Sequence, residues 1–287
     1  HSTSRRQRQM CIRDSPTGES GDFEKANFPI GVEGGKTSTC PTQNLMEAYD
    51  MKDGTPFVWN NQSNPYDNRD PRMKYTIVCN EMKWPVDPVE IWEGGTNGLP
   101  LQNATTTGYY LKKYVNNTIS FEAGSTVTKK QHNWVLFRYG EILLNWAEAA
   151  YELGLITGNE DLKKEAFEHI NEIRDRAGAH QHEMVTNPID VGSETYGFAI
   201  DENLQYIRDE RARELCFENH RLFDIRRWRV ADIMFQNGVY THTLLPYLVL
   251  DENKWIFLNE VEREGRRVTF DKRHYYEQIP VSYTHLR

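Results

Sequence analysis

A chain of 287 residues with a formal net charge of −8 argues against nucleic acid as a partner, because neutralising phosphates takes clustered Lys and Arg. Charged residues at 26% and hydrophobic ones at 38%, with 12% aromatic, suit a globular protein with a wet, Tyr- and Trp-rich surface; no run reaches the apolar length of a membrane span. With Cys11 set aside, Cys40, Cys79 and Cys216 have no metal-like spacing and, being odd in number, give no disulfide framework.

The two ends read differently from the middle. Residues 10–15, MCIRDS, and 281–285, VSYTH, back-translate to reverse complements of each other in shifted frames, as a flanking adapter translated by mistake would. Residues 1–15 and 281–287 are therefore set aside as adapter-like, and a chain that starts with His is expected to be a fragment at both ends. The remainder divides into a loop-rich, ligand-binding region over 16–130 and a helical scaffold over 131–280.

Up to about residue 125 the chain is rich in Gly, Pro, Asn, Asp and Thr, and Asp53-Gly54, Asn64-Pro65 and Asn97-Gly98 read as turns. Long ordered loops are expected there, with short strands over 75–79 and 109–114. From Trp134 the period changes. Tyr139, Ile142, Leu143, Trp146, Ala150 and Leu153 predict one helical face, stopped at Gly154. A turn over 155–160 leads to a second stripe of Leu162, Ala166, Phe167, Ile170, Ile173 and Ala177, ended by Gly178. The pair makes an αα-hairpin that resembles a tetratricopeptide unit, with no second copy at a fixed period. After a loop over 180–196 comes an arginine-rich helix, and 231–271 reads as irregular. The fold class is all-α: tetratricopeptide-like hairpins with a large loop-rich region and a few short strands.

The segment 207–228, IRDERARELCFENHRLFDIRRW, alternates acids with arginines and contains no lysine. Arginine's planar fork pairs bidentately with carboxylates and stacks on aromatic rings, so it withstands partial burial better than lysine. With Leu204, Ile207, Arg211, Leu215 and Glu218 on one side and Phe217, Phe223 and Trp228 among the charges, a packed Arg–carboxylate–aromatic seam fixing two helices together is expected.

The pattern ERARELCFENHRLFDIRRW resembles the signature of the SusD/RagB family of surface glycan-binding lipoproteins from Bacteroidetes-type bacteria. Further blocks resemble the same family in its order: PTQNLMEAYDMKDGTPF at 41–57, NPYDNRDPR at 64–72, TGYYLKKYV at 107–115, FRYGEILLNWAEAAYELG at 137–154, AFEHINEIRDRAGA at 166–179 and YEQIP at 276–280. The resemblance implies a tetratricopeptide-like scaffold with a loop-rich region, in a complete protein roughly twice as long. It also implies an N-terminal lipid anchor on the outer face of the outer membrane, absent from this chain. The implied partners are an oligosaccharide or polysaccharide and a SusC-like TonB-dependent transporter, over whose mouth the protein sits as a lid. On this reading Arg69, Arg72, Glu210, Arg211, Glu214, Arg221, Asp224, Arg226 and Trp228 are structural signature residues that do not touch the ligand.

A sugar has polar edges and apolar C–H faces, so its sites combine aromatic platforms with hydrogen-bonding side chains. The candidates are Trp59, Tyr66, Trp84, Trp92 and Asn97, with Asn60, Asn61 and Gln102 nearby; against each Trp stands the reading that it packs under its own loop. Trp92 is preferred, because in EIWEGGTNG the glycines permit close approach and Asn97 can hydrogen-bond. The alternatives are a glycoside hydrolase using Glu141/Glu148 or Asp67/Asp70, and a helical-repeat adaptor that binds only protein. Salt bridges for Asp67 and Asp70, and packing against neighbouring helices for Glu141 and Glu148, are the readings favoured over catalysis. His180 and His182 lack a carboxylate or Cys partner at helical spacing for zinc, and Gly34-Gly35-Lys36-Thr37 lacks the earlier glycine of a phosphate loop. No catalytic residue, metal or cofactor is expected.

Overall fold

A computed structural model describes residues 14–60, 63–84, 86–235, 243–249, 254–260 and 270–276. The sequence candidate Asn61, the thiol Cys11, the end stretches 1–13 and 281–287 and most of the YEQIP block lie outside them. In chain order come β1 (Asp14–Ser20), α1 (Asp22–Asn27), α2 (Gln43–Glu47), α3 (Pro71–Thr76), β2 (Ile77–Val78), β3 (Tyr110–Leu111) and β4 (Lys130–Val135). The helical part follows: α4 (Tyr139–Thr157), α5 (Glu160–Ala177), α6 (Gly192–Tyr196), α7 (Glu202–Glu214), α8 (Arg221–Arg227) and α9 (Ala231–Met234). A hairpin of β5 (Thr243–Val249) and β6 (Lys254–Glu260) and a 3₁₀ turn (Lys272–Tyr275) complete the described elements. The strands pair as three two-stranded antiparallel ladders, β1 with β4, β2 with β3 and β5 with β6. The architecture is helical with a large loop-rich region and a few short strands.

Local sequence sets the helix limits. Helix α4 runs through Gly154 and ends at Gly158, which is left-handed at φ 70°. The reading that Gly154 stops the helix is corrected by packing: a Cβ there would lie 2.7 Å from Lys163 Cγ and 2.9 Å from the Asn159 carbonyl oxygen, so this glycine lets α5 cross close to α4. Asn159 then caps α5 by accepting from the Asp161 N–H at 3.0 Å, and Gly178 closes α5 in the left-handed region. Asp201 caps α7 through the Leu204 N–H at 2.8 Å, and its second oxygen accepts from the Tyr151 hydroxyl at 3.0 Å, tying that cap to α4.

The helical core joins Leu143, Leu144, Ala147, Ala150 and Tyr151 of α4 to Ala166, Phe167, Ile170 and Ile173 of α5, with Leu204 and Ile207 of α7. Ile142, Trp146 and Leu153, placed on the same inward face by sequence, are exposed. The expected stripe therefore splits into two faces, one packed and one open. Leu144 is fully buried at the centre, so Leu144→Ala is expected to lower the unfolding free energy by about 2–5 kcal/mol in urea titrations.

In the loop-rich region β2 has a core on each of its faces, as alternation along a strand dictates. Ile77 joins Met46, Tyr49, Tyr66, Met73, Cys79, Tyr109, Cys216 and Phe257; its neighbour Val78 joins Phe28, Trp84, Val89, Ile91 and Tyr110. Cys216, from the end of the arginine-rich helix, and Phe257, from β6, enter the first of these clusters, so the loop region shares its core with both later parts of the chain. The reading of 231–271 as irregular is corrected by α9 and the β5–β6 hairpin, whose register runs from Thr243 opposite Glu260 to Val249 opposite Lys254.

Candidate functional site

The arginine-rich helix meets partners from across the chain. Glu210, fully buried, accepts from Arg72 at 2.5 Å, Arg174 at 2.7 Å and Arg213 at 3.1 Å. Asp50 lies on the far side, 3.3 Å from Arg174 and 3.4 Å from Arg213. One turn on, Glu214 takes Arg176 at 2.5 Å, Arg138 at 2.6 Å and Arg72 at 3.2 Å. Glu218 takes Arg138 at 2.6 Å and Lys113 at 2.7 Å, and Lys113 also donates to the Cys216 carbonyl at 2.9 Å. The seam thus reaches beyond two helices: Asp50 comes from a loop, Arg72 from the first turn of α3, Lys113 follows β3, Arg138 precedes α4, and Arg174 and Arg176 end α5. It fastens the loop-rich region to the scaffold.

Burial alone would raise the pKa of these carboxyls, and the guanidiniums overcome it. Glu214 is held at about 2 by Arg138, Arg176 and Arg72 against that desolvation, and Glu210 lies well below the usual carboxylate range because of Arg72, Arg213 and Arg174. At the other end of the seam Arg211 donates to Asp224 at 2.8 Å and to Asn145 of α4 at 2.8 Å. The Trp228 indole N–H donates to Glu148 at 2.5 Å, and Arg226 donates to the His274 carbonyl at 2.5 Å. Arg221 is exposed at the start of α8 rather than locked within the seam. Arg69 stands apart: buried beneath the Phe57 ring at 4.0 Å, it donates to the carbonyls of Met46 and Tyr49 at 2.6 Å each and of Pro65 at 2.7 Å. Desolvation lowers its pKa to about 10.

The sugar-binding candidates separate by burial. Trp84 is 4% exposed and packs edge-on against Phe28 at 5.7 Å, which leaves no face for a sugar. Tyr66, 8% exposed, lies edge-on between Tyr109 at 6.3 Å and Phe257 at 5.4 Å. Asn97 is also buried: it donates to the Ile30 carbonyl at 2.6 Å and accepts from the Glu90 N–H at 2.9 Å and the Thr96 hydroxyl at 3.1 Å. These three are structural, a correction to their assignment as ligand contacts. The glycines of EIWEGGTNG are likewise taken up by the loop itself, since a Cβ on Gly98 would sit 2.3 Å from the Trp92 carbonyl oxygen.

Trp59 and Trp92 remain half-buried, Trp59 at the surface of the first loop cluster. Trp59 packs edge-on against Phe57 at 6.3 Å. Trp92 meets a residue that sequence reasoning did not single out, Trp255 of β6, with ring centroids 6.3 Å apart and planes inclined at 53°. Trp255 is also half-buried and packs on the same cluster as Trp59. The alternation of Trp255 and Phe257 with the more exposed Ile256 and Leu258 was the signal available for it.

The SusD family model matches residues 3–285, nearly the whole chain. The chain belongs to the SusD family. SusD-like protein P2 of Formosa agariphila is 32% identical over 118 residues, which is 41% of this chain and 21% of that protein. A crystal structure of a SusD-like protein from Bacteroides fragilis matches the fold with a TM-score of 0.68 at 22% identity, covering 96% of this chain and 52% of that one. A SusD-like carbohydrate binding protein from the same species matches with a TM-score of 0.62 at 22% identity, covering 91% of this chain and 50% of that one. The chain spans about half the length of these solved relatives, and its 118-residue match covers about a fifth of the curated one.

Within this SusD-family fold two of the four carboxylates weighed for catalysis, Glu148 and Asp70, are tied into structural hydrogen bonds. Glu148 is clamped by Arg227 and by the Trp228 indole, and Glu141 lies 3.7 Å from His220. Asp70 caps α3 through the Arg72 N–H at 2.9 Å and pairs with the Arg72 guanidinium at 2.6 Å, whereas Asp67 is exposed. His182 stacks on Tyr206 with centroids 3.4 Å apart. Desolvation and then Arg174 and Arg213 push its pKa down to about 4. The His180 carbonyl accepts from Arg174. Among the described residues no group of three or more His, Cys, Asp or Glu could hold a metal ion, and no helix is long and apolar enough to cross a membrane.

Proposed function

We propose that this chain is the ligand-holding part of a cell-surface glycan-binding protein, which takes oligosaccharide from polysaccharide nutrients and delivers it to a TonB-dependent outer-membrane transporter. A lipid anchor on the outer face of the outer membrane, supplied by a longer polypeptide, goes with that reading. No bond is broken in it: the ligand is held by stacking and hydrogen bonds. Membership of the SusD family supports this reading, as does the name of the carbohydrate binding relative from Bacteroides fragilis.

One observation carries the binding proposal. Trp92 and Trp255, both half-buried, come from separate parts of the chain and meet with ring centroids 6.3 Å apart and planes inclined at 53°, and Trp59 packs on the same cluster as Trp255. Inclined indoles offer apolar faces to successive sugar rings of a bent chain, while Thr96, Gln102 and Asn103 are exposed polar groups on the adjoining loop. Because Trp92 is anchored by a tightly wound backbone, its face is preorganised and little ordering opposes binding. A panel of soluble oligosaccharides followed by tryptophan fluorescence is expected to give saturable quenching with at least one glycan. Trp92→Ala is expected to weaken that binding about tenfold or more. Absence of quenching across the panel, or cleavage of the glycan into reducing sugar, would sink the proposal.

A further inference from the structure

The loop that carries Trp92 has an electrostatic sign of its own. Between Lys83 and Lys112 the chain holds no Lys, Arg or His, while Asp87, Glu90 and Glu93 fall within that span. Asp87 and Glu93 are exposed. Glu90 is fixed inside the loop: its Oε2 accepts from the Thr96 N–H at 3.1 Å, and a Cβ on Gly95 would lie 3.0 Å from the Glu90 Cβ. Two carboxylates thus flank Trp92 in the chain, and the loop has no cation to offset them. The Trp59 loop repeats the pattern, with no base between Lys52 and Arg69 and with Asp53 and Asp67 exposed. Its bases stand at the margins. Lys52 and His180 lie beside Asp53, and Arg69 is buried with its donors on the Met46, Tyr49 and Pro65 carbonyls. Lys254 precedes Trp255 in β6, where successive residues serve opposite faces of the strand.

This shortage of cations is local. The chain has 34 Lys and Arg, but Arg72, Arg138, Arg174, Arg211 and Arg213 are taken up by buried carboxylates of the seam. Recognition of a uronate or a sulfate ester depends on charge-assisted hydrogen bonds, best from a guanidinium fork. An indole face offers the reverse, being the negative side of the ring quadrupole. The exposed polar groups of the Trp92 loop, Thr96, Gln102 and Asn103, are neutral donors and acceptors that match sugar hydroxyls.

We infer, resting on the glycan-binding reading above, that the Trp92–Trp255 pair selects uncharged glycan chains and that Glu93 is a determinant of this choice, repelling uronates and sulfate esters. Glu93 adjoins Trp92, so an acidic group on a sugar stacked there falls within the Debye length of about 8 Å at physiological salt. Glu90, two residues before the indole, adds to the same field. Repulsion of this kind is screened as salt rises, whereas the stacking and hydrogen bonding of a neutral sugar are not.

The test uses malto-, cello-, manno- and galacto-oligosaccharides, each as the neutral chain and as the same chain oxidised to the uronate at C6, titrated into the 287-residue protein. For each pair that binds, the uronate is expected to bind at least about tenfold more weakly at low salt, with the gap closing as salt rises from ~0.02 to ~0.5 M. Glu93→Lys is expected to narrow that ratio by about threefold or more through a gain in uronate affinity, and Glu93→Gln by less. A uronate that binds as tightly as its neutral partner, or whose affinity falls as salt rises, would overturn the inference and leave the glycan-binding reading standing. An unchanged ratio in Glu93→Lys would overturn the role given to Glu93. No binding by either member of any pair would remove the glycan-binding reading and the charge selection together.

Discussion

Glu210→Ala is expected to lower the unfolding free energy by about 3–5 kcal/mol, the largest effect of any substitution considered, because it strips a fully buried anion from three arginines. Arg174 is 1% exposed and Arg213 5%, so neither can turn to water when its carboxylate is lost. Asp50 would remain beside both, at 3.3 and 3.4 Å, too weakly placed to compensate for two buried guanidiniums. Arg72, already paired with Asp70 and Glu214, would lose less. The control is Arg176→Ala: it also breaks a contact to this seam, yet its side chain is 55% exposed, and the expected cost is about 0–1 kcal/mol. Urea unfolding followed by circular dichroism distinguishes them. Equal, small effects for both variants would show that the buried seam contributes no more than a surface ion pair.

Acid is expected to dismantle the same seam. Glu210, Glu214 and Glu218 all have carboxyl pKa values lowered by neighbouring cations in the folded state. A group whose folded pKa lies below its unfolded value of about 4.5 contributes stability that is complete above that pH and is lost as the pH falls through the folded value. For Glu214, held at about 2, the window runs from about 4.5 down to about 2 and the contribution is on the order of 3 kcal/mol. His182 acts in the same direction but earlier: its folded pKa of about 4 lies below the unfolded 6.5, so stability falls as the pH drops from about 6.5 to 4. Asp50 and Asp209, whose pKa values burial raises, oppose this in part. The net expectation is a thermal midpoint that is steady above about pH 6.5, declines between about pH 6.5 and 4 with His182 and falls further below about pH 4.5, with Glu214→Gln flattening the lowest part of the curve. A midpoint independent of pH between 6 and about 2.5 would contradict it.

Local devices were legible in the sequence and distant ones were not. Gly178 and the αα-hairpin could be read because a cap and a helical period lie within a few residues of what they specify. The arginine-rich segment announced a packed ionic seam through its lack of lysine, but not its partners: Arg72 lies 138 residues from Glu210, and Lys113 lies 105 from Glu218. Helix α4 misled because a helix apolar on two sides has no single inward stripe; Leu143 and Ala150 turned inward while Ile142 and Trp146 turned out. In the loops no period exists, so composition alone could not separate the buried Trp84, Tyr66 and Asn97 from the half-buried Trp59 and Trp92. Trp255 was missed for a related reason: its role depends on a hairpin that brings it to a loop more than a hundred residues earlier.

The most direct test of glycan binding at the Trp92–Trp255 pair is calorimetric titration of the best glycan from the panel into the chain and into Trp92→Ala, Trp255→Ala and Trp84→Phe. The two variants of the pair are expected to weaken binding about tenfold or more with little change in thermal midpoint. Trp84→Phe, beneath its loop, is expected to lower the midpoint and leave the affinity of the folded protein unchanged. Undiminished affinity in both variants of the pair, or loss of affinity only where the fold itself is lost, would contradict the account.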